Sequence, residues 1–160
     1  MINTVEKLNE VRCSAIADLN RYNCRVLVCS GTGCIATGSN KIHEIFEDIV
    51  KDAPGVELVF SPCGGHDDEK VVGVKKTGCQ GFCELGPLVR IQKNGRTIQY
   101  VKVQPEDCQE IFEQSVLGDE VIERLLYHKG ETAYVQPDEI PFIAKQTRIV
   151  LENCGKFDAE

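Results

Sequence analysis

Residues 24–34 read Cys-Arg-Val-Leu-Val-Cys-Ser-Gly-Thr-Gly-Cys, a short apolar run followed by a glycine-rich turn. An apolar run of this length that ends in a turn is typical of a buried strand, and we predict one over 24–29. Apolar residues at helical spacing then indicate a helix that Ser39 or Asn40 caps and a Pro-Gly pair ends. A second strand over 56–60 makes this a strand–helix–strand unit, which implies a right-handed parallel crossover.

The middle of the chain contains a hairpin signal. Two alternating runs, 88–92 and 97–103, flank the sequence Lys-Asn-Gly-Arg. Asn-Gly is typical of a type I′ turn, because both central residues of that turn need a positive φ angle. A further strand over 71–75 follows a polar loop over 61–69, so the order of elements predicts an α/β domain.

Helices are predicted at both ends of this domain. An apolar stripe indicates a packing helix over 3–20 with Asn3 as its cap. A helix over 105–117 ends at Gly118, and Asp119 caps a last short helix. The residues expected on the buried faces of these last two helices are Cys108, Ile111, Phe112, Ser115, Val116, Ile122, Leu125 and Leu126.

The composition excludes several classes of function. The 160 residues carry 18 Lys and Arg against 25 Asp and Glu, a formal charge of −7, and no basic run, so a nucleic-acid partner is not expected. No apolar run approaches the roughly 18 residues of a membrane span. The N-terminus lacks the apolar core of a secretory signal. We therefore expect a cytoplasmic protein whose partners are proteins or small molecules.

The chain has nine cysteines, a high and odd number. A secreted disulfide scaffold favours an even number in a shorter chain. In a reducing cytosol, clustered cysteines more often bind metal or carry out redox chemistry than form disulfides.

Four of the cysteines lie in glycine-flanked loops after predicted strands. Cys29 and Cys34 have four residues between them, and Cys79 and Cys83 have three. Two strand ends can bring such pairs together, and four thiolates are the ligand set of a [2Fe–2S] cluster or an all-cysteine zinc site. The glycines let backbone N–H groups approach the sulfurs, which favours the negatively charged iron–sulfur cluster. Free thiols or a dithiol redox centre are the remaining alternatives.

The other five cysteines are less strongly indicated as metal ligands. Cys13 and Cys108 lie in predicted helices, where we expect small core residues. Cys63 lies in a Pro-Cys-Gly-Gly loop and is an alternative ligand, whereas Cys24 precedes a strand and Cys154 lies in the tail. A surface position is expected for the three histidines, His43, His66 and His128.

The two cysteine motifs resemble a known domain. Cys-Ser-Gly-Thr-Gly-Cys over 29–34 and Thr-Gly-Cys-Gln-Gly-Phe-Cys-Glu-Leu-Gly-Pro over 77–87 resemble the thioredoxin-like [2Fe–2S] ferredoxin domain. The tail over 140–158 reads Ile-Pro-Phe-Ile-Ala-Lys-Gln-Thr-Arg-Ile-Val-Leu-Glu-Asn-Cys-Gly-Lys-Phe-Asp. It resembles the start of the flavoprotein (beta) subunit of NADP-reducing and electron-bifurcating [FeFe]-hydrogenases, a family similar to the complex I flavoprotein.

The resemblance implies a thioredoxin-like fold with a mixed sheet. It also implies that Cys29, Cys34, Cys79 and Cys83 are the ligands of one [2Fe–2S] cluster. This domain would serve electron transfer, with other iron–sulfur and flavin subunits of a hydrogenase-type complex as its partners.

The resemblance further predicts how the chain is organised. We expect an N-terminal helix over 1–22, the ferredoxin domain over 23–127, and an extended linker over 128–160 that leads into a flavoprotein module. The FMN, NAD(P) and [4Fe–4S] sites belong to that downstream module, which is not present here. The chain would then be a component of an NAD(P)H-dependent oxidoreductase without a complete catalytic site of its own.

Three alternatives stay open. The parent complex could be a complex I-like NADH dehydrogenase, or it could contain a formate dehydrogenase with this chain in its diaphorase subunit. An all-cysteine zinc docking domain is the alternative outside electron transfer. In the hydrogenase interpretation, a linker over 128–142 would let the domain swing between electron donors and acceptors.

Overall fold

The frame of the structure, a computed structural model, is a five-stranded mixed sheet. The strands of the described residues are β1 (Cys24–Cys29), β2 (Val56–Leu58), β3 (Lys70–Thr77), β4 (Val89–Lys93), β5 (Arg96–Tyr100), β6 (Tyr127–Lys129) and β7 (Thr132–Tyr134). The sheet has the order β2-β3-β1-β4-β5; β1 and β2 run parallel to β3, whereas β4 is antiparallel to β1 and β5. The structure describes residues 4–20, 22–58, 70–150, 152 and 154, with the backbone alone for 14–20, 57, 58 and 70.

The parallel unit predicted from the first half of the chain is present, with one strand added. β1 and β2 are parallel, but β3 lies between them and pairs with both. β3 is longer than the predicted 71–75, because its pairing with β1 continues as far as Cys29 and Thr77. Of the strand predicted over 56–60, residues 56–58 form β2, and the last two lie outside the described residues.

β4 and β5 form the predicted hairpin. Asn94 and Gly95 connect them with φ angles of 52° and 74°, so both central residues have the positive φ of a type I′ turn. β5 ends before the predicted end of 97–103. The reason is that the N–H group of Val101 bonds to the carbonyl of Leu125 (2.9 Å) instead of to a neighbouring strand.

Five α-helices accompany the sheet within the described residues: α1 (Val5–Asn20), α2 (Thr32–Ala36), α3 (Ser39–Asp52), α4 (Asp107–Ile111) and α5 (Pro141–Ala144). α2 lies where the sequence indicated a glycine-rich turn. α3 is capped by Gly38, whose φ of 100° suits glycine, so the prediction of Ser39 or Asn40 as its cap is wrong. No helix in the described part of the chain has the length and apolarity needed to cross a membrane.

The helix predicted over 105–117 begins later and changes its winding. α4 starts at Asp107, whose carboxylate accepts a hydrogen bond from the N–H group of Gln104 (2.8 Å). Phe112–Leu117 continue it as a π-helix. The predicted buried face is confirmed, since all five of its residues are buried: Cys108, Ile111, Phe112, Ser115 and Val116.

Asp119 does not cap a helix. Its carboxylate pairs with the ammonium group of Lys93 (2.9 Å), which also donates to the carbonyl of Val116 at the end of the π-helix (2.9 Å). The predicted last helix is a single 3₁₀ turn, Glu123–Leu125. Its apolar side chains are buried as expected: Ile122, Leu125 and Leu126.

His43 is buried, and its predicted surface position is wrong. Its side chain lies on the same face of α3 as Phe46 and Val50, three and seven residues later, which pack into the main core. Nδ1 of His43 is 3.9 Å from Oε1 of Glu47. Helical spacing therefore places this histidine at the boundary between the core and a carboxylate.

α1 exists as predicted, but the described part of its apolar stripe does not pack. Val5, Leu8 and Val11 are 70%, 54% and 47% exposed, so the predicted packing role is wrong for these residues. Cys13 is also exposed and is not the core residue that we expected. The predicted cap, Asn3, lies outside the described residues.

Residues 127–148 fold onto the domain, so the expectation of an extended linker is wrong for this part of the chain. β6 and β7 form a second, two-stranded sheet. The N–H group of Gln99 on β5 donates to the carbonyl of Val135 (2.9 Å), and the side chain of Ile140 is fully buried. The predicted boundary after residue 127 divides β6, and a swinging linker over 128–142 is not compatible with these contacts.

Candidate metal centre

The two cysteine motifs begin at the same end of the sheet. Cys29 is the last residue of β1 and lies opposite Thr77, the last residue of β3, in the parallel register. The N–H group of Ser30 donates to the carbonyl of Thr77 (2.8 Å). Because β1 and β3 are parallel neighbours, the segments that follow them start side by side.

Each motif brings its own two thiols together. The Sγ atoms of Cys79 and Cys83 are 3.7 Å apart, and the Cys29 thiol lies close enough to Cys34 to contribute to the raised pKa of Cys34. The two motifs also contact each other, since a Cβ atom added to Gly31 would lie 3.2 Å from Cβ of Cys79. The structure therefore brings the four predicted cysteines into one site.

The thiols are arranged as two pairs. Two thiolates on one tetrahedral metal ion are about 3.8 Å apart when each metal–sulfur bond is about 2.3 Å, which matches the separation of Cys79 and Cys83. Among the described residues, no group of three or more His, Cys, Asp or Glu side chains is placed to hold a metal ion. The outer thiols are therefore spaced to bind one metal ion together, either alone or as part of a binuclear cluster.

The two pairs differ in exposure. We call Cys29 and Cys34 the inner pair, and Cys79 and Cys83 the outer pair. Both inner side chains are 0% exposed, whereas Cys83 is exposed and Cys79 is half-buried. The buried apolar residues that pack with the inner pair are Phe82, Leu88, Val101 and Ile140.

Burial also controls the protonation of Cys34. Desolvation, with the neighbouring Cys29 thiol as a further cause, raises the pKa of Cys34 to about 12. The pKa of Cys83 is raised chiefly by its hydrogen bond with Cys79, with burial as the next cause. Because thiolates are the metal-binding form, a metal at this site would displace protons that the free protein holds at neutral pH.

A buried glutamine anchors the outer pair's loop from the inside. Gln80 donates from Nε2 to Oγ1 of Thr77 (3.2 Å) and to the carbonyl of Leu27 (3.3 Å). Its Oε1 accepts a hydrogen bond from Nε2 of Gln99 (3.3 Å), and Oε1 of Gln99 accepts one from Nε of Arg90 (2.7 Å). This network fixes the loop between the outer cysteines to the central strand and to the hairpin.

Sequence reasoning did not identify this network. Gln80, Gln99 and Arg90 belong to no motif, and their distinguishing feature is burial, at 0%, 1% and 8% exposure. Two weak signals were present. Gln80 lies between two candidate ligands, and Arg90 is opposite Gln99 in the register of the hairpin.

Aromatic side chains cover the surface beside the outer pair. Phe82 stacks on Phe142 at a centroid distance of 5.5 Å and meets Tyr127 edge-on at 5.3 Å. Phe142 is 53% exposed. It lines an open cleft of about 330 Å³ together with Cys83. The exposed edge of the site is therefore partly apolar.

The remaining candidate residues have different placements. Cys108 is buried in the main core, as predicted, and His128 is exposed, as predicted. Cys154 is half-buried. Cys63, the alternative ligand, and His66 lie outside the described residues.

The sheet and the cysteine site together define the class of protein: a thioredoxin-like domain with four cysteine thiols at one end of its sheet. A solved thioredoxin-like [2Fe–2S] ferredoxin from Aquifex aeolicus matches with a TM-score of 0.50 at 27% identity, over 70% of this chain and 96% of that chain. The wild-type crystal structure of the thioredoxin-like ferredoxin from the same organism gives 0.50 at 28% identity, over 68% and 99%. The predicted thioredoxin-like fold is confirmed.

Two curated proteins establish the family. A 2Fe-2S ferredoxin from Aquifex aeolicus (strain VF5) is 30% identical over 100 residues, which are 61% of this chain and 76% of that protein. A 2Fe-2S ferredoxin from Clostridium pasteurianum is 34% identical over 70 residues, 44% of this chain and 67% of that protein. No protein-family model matches the chain. The chain belongs to the thioredoxin-like [2Fe–2S] ferredoxin family, which supports the predicted cofactor.

Proposed function

We propose that this chain is an electron-transfer domain in which Cys29, Cys34, Cys79 and Cys83 hold one [2Fe–2S] cluster. The observation that carries the proposal is the placement of two thiol pairs at one end of a ferredoxin-family sheet. When bound, such a cluster accepts and donates single electrons.

The chain's own residues determine how the cluster is held. Cys29 at the end of β1 and Cys34 on α2 would bind the cluster from its buried side. In the outer pair, Sγ of Cys79 accepts a hydrogen bond from the N–H group of Gly81 (3.3 Å). The left-handed backbone of Gly81, with φ of 82°, directs that N–H group towards the sulfur. Donors of this kind stabilise negative charge on sulfur and so favour the reduced state.

Electrons should enter and leave on the side of the outer pair. Cys83 is exposed there, and the neighbouring cleft is lined by Phe142 and Tyr127. A partner protein that packs against this cleft would bring its own redox centre close to the outer thiolates. The buried inner pair offers no comparable approach.

Purification under anaerobic conditions tests the cluster assignment. We expect two iron atoms and two acid-labile sulfides per chain, together with a visible absorbance that bleaches on reduction and returns on oxidation. Zinc without sulfide would indicate a docking domain, and metal-free protein with disulfide reductase activity would indicate a dithiol enzyme. Either result would overturn the proposal.

We further propose that the domain is part of the flavin- and NAD(P)H-dependent subunit of a cytoplasmic, electron-bifurcating hydrogenase complex. The support is the resemblance of residues 140–158 to the start of a hydrogenase flavoprotein subunit. Isolation of the native complex tests this assignment. Flavin-bearing and hydrogenase subunits should co-purify with the chain, and NAD(P)H should reduce its cluster; a complex without flavin would contradict the assignment.

A further inference from the structure

Arg148 contacts the loop of the outer pair from the outside. Its Nη2 donates a hydrogen bond to the carbonyl of Gln80 (2.7 Å). The same nitrogen lies against the backbone of Gly81, where an added Cβ atom would collide with it. The absence of a side chain at Gly81 therefore makes room for the guanidinium group.

The loop segment under Arg148 is the one that presents the outer pair. Gln80 and Gly81 lie between Cys79 and Cys83, and the N–H group of Gly81 bonds to Sγ of Cys79. The Gln80 side chain holds this segment from the inside, through the network that reaches Arg90. Arg148 completes the clamp from the other side, so any displacement of it changes the direction of a donor to a ligand sulfur.

Arg148 also brings positive charge to the site. Its guanidinium group lines one cleft with that of Arg90 and with the carboxylate of Asp138. Arg90 in turn interacts electrostatically with Cys29. The cluster gains one negative charge on reduction, so nearby guanidinium groups stabilise the reduced form more than the oxidised form.

We propose that Arg148 is a positioning residue that fixes the outer pair's loop and raises the reduction potential of the cluster. This inference rests on the proposed function, because it requires a cluster held by the four cysteines. It assigns a role to the segment that the sequence indicated as an extended linker: that segment forms part of the cluster site.

A redox titration of purified holoprotein variants tests the proposal. Arg148→Gln removes the charge and the clamp, Arg148→Lys keeps the charge, and Lys145→Gln removes one charge from an exposed position of the same segment. Iron and acid-labile sulfide are counted for every variant before its midpoint potential is measured. We expect a more negative potential for Arg148→Gln, an intermediate value for Arg148→Lys, and an unchanged value for Lys145→Gln.

The outcomes separate this inference from the proposed function. Wild-type protein without iron and sulfide would refute the cluster itself. A loaded Arg148→Gln protein with the wild-type potential, or with the same shift as Lys145→Gln, would overturn the role of Arg148 alone. Faster loss of iron to a chelator in Arg148→Gln than in Lys145→Gln would support the clamp, and equal rates would contradict it.

Discussion

The inner and outer pairs place the same kind of sulfur atom on different kinds of structure. Cys29 ends a central strand and Cys34 lies on α2, and both are fully buried. Cys79 and Cys83 lie after β3 in a segment held by side-chain contacts from Gln80 and Arg148, and Cys83 is exposed. Regular structure fixes the first pair, whereas a polar clamp fixes the second.

This difference indicates that the two pairs have different roles in the site. The inner pair cannot move without disturbing β1 and the apolar residues around it, so it should decide whether a cluster forms. The outer pair is accessible and adjustable, so it should influence the potential and the contact with a partner.

The largest effect is expected at the inner pair. Cys34→Ser places a poorer ligand at a buried position that cannot adjust, so iron and acid-labile sulfide should fall to background levels. Metal analysis of anaerobically purified protein measures this loss. Cys13→Ser is the matched control, because Cys13 is exposed on α1, and it should keep the wild-type iron content. A Cys34→Ser protein with full iron content would contradict the role of the inner pair.

A partial effect is expected at the outer pair. In Cys83→Ser the hydroxyl group is exposed and its loop can adjust, so part of the iron should be retained with an altered visible spectrum. The same iron and sulfide analysis, run beside Cys34→Ser, gives the comparison. Equal losses in the two variants would show that the pairs do not differ in the way proposed.

Two glycine substitutions separate the pairs without replacing any of the four cysteines. A Cβ atom on Gly86 would lie 2.8 Å from Sγ of Cys34, whereas one on Gly33 would lie 3.3 Å from Cβ of Cys83. Gly86→Ala should lower iron content and destabilise the apoprotein by about 1–3 kcal/mol, a typical cost of overpacking. Gly33→Ala should cost less than about 1 kcal/mol, because alanine favours the helix that it joins.

Urea unfolding of the two apoproteins, together with iron analysis of the purified holoproteins, measures both effects. The comparison fails if Gly33→Ala loses as much iron and stability as Gly86→Ala.

The smallest effect concerns a buried thiol outside the site. Burial raises the pKa of Cys108 from 9.0 to about 12, with Asp107 and Glu106 as minor causes. Since the folded-state pKa is the higher one, the stabilising contribution is complete below pH 9.0 and decreases as the pH rises towards about 12. The expected slope in that window is at most about 1.4 kcal/mol per pH unit.

Urea unfolding of apoprotein above pH 9.0 checks this slope against Cys108→Ala, which should show a shallower one. Identical slopes would mean that burial alone does not raise the pKa of a thiol in this fold. The same explanation for Cys34 would then lose its support.

The sequence predicts the frame and the two neighbouring cysteine pairs because both depend on local patterns. The apolar run over 24–29 and the Asn-Gly turn specify β1 and the hairpin, and glycine-flanked cysteines after two strands indicate a thiolate site. The parallel pairing of Cys29 with Thr77 then brings the two motifs together. Membership in the [2Fe–2S] ferredoxin family agrees with the fold and the cofactor that these patterns predict.

The tail is not predictable in the same way. Ile140 is fully buried and Arg148 reaches Gln80, but each contact comes from a different short turn, so the residues show no helical or strand period. In α1 the reverse happens: the sequence predicts burial that the structure does not show. The apolar stripe identifies one face of the helix but not what packs against it, and Val5 and Leu8 are exposed.

The most direct test of the account is an electron paramagnetic resonance spectrum of anaerobically purified, dithionite-reduced protein, with iron and sulfide counted on the same sample. Two thiol pairs around one binuclear cluster predict one unpaired spin for every two iron atoms, with equal iron and acid-labile sulfide. A spectrum of isolated iron ions, or iron without inorganic sulfide, would contradict the convergence of the inner and outer pairs on one [2Fe–2S] cluster.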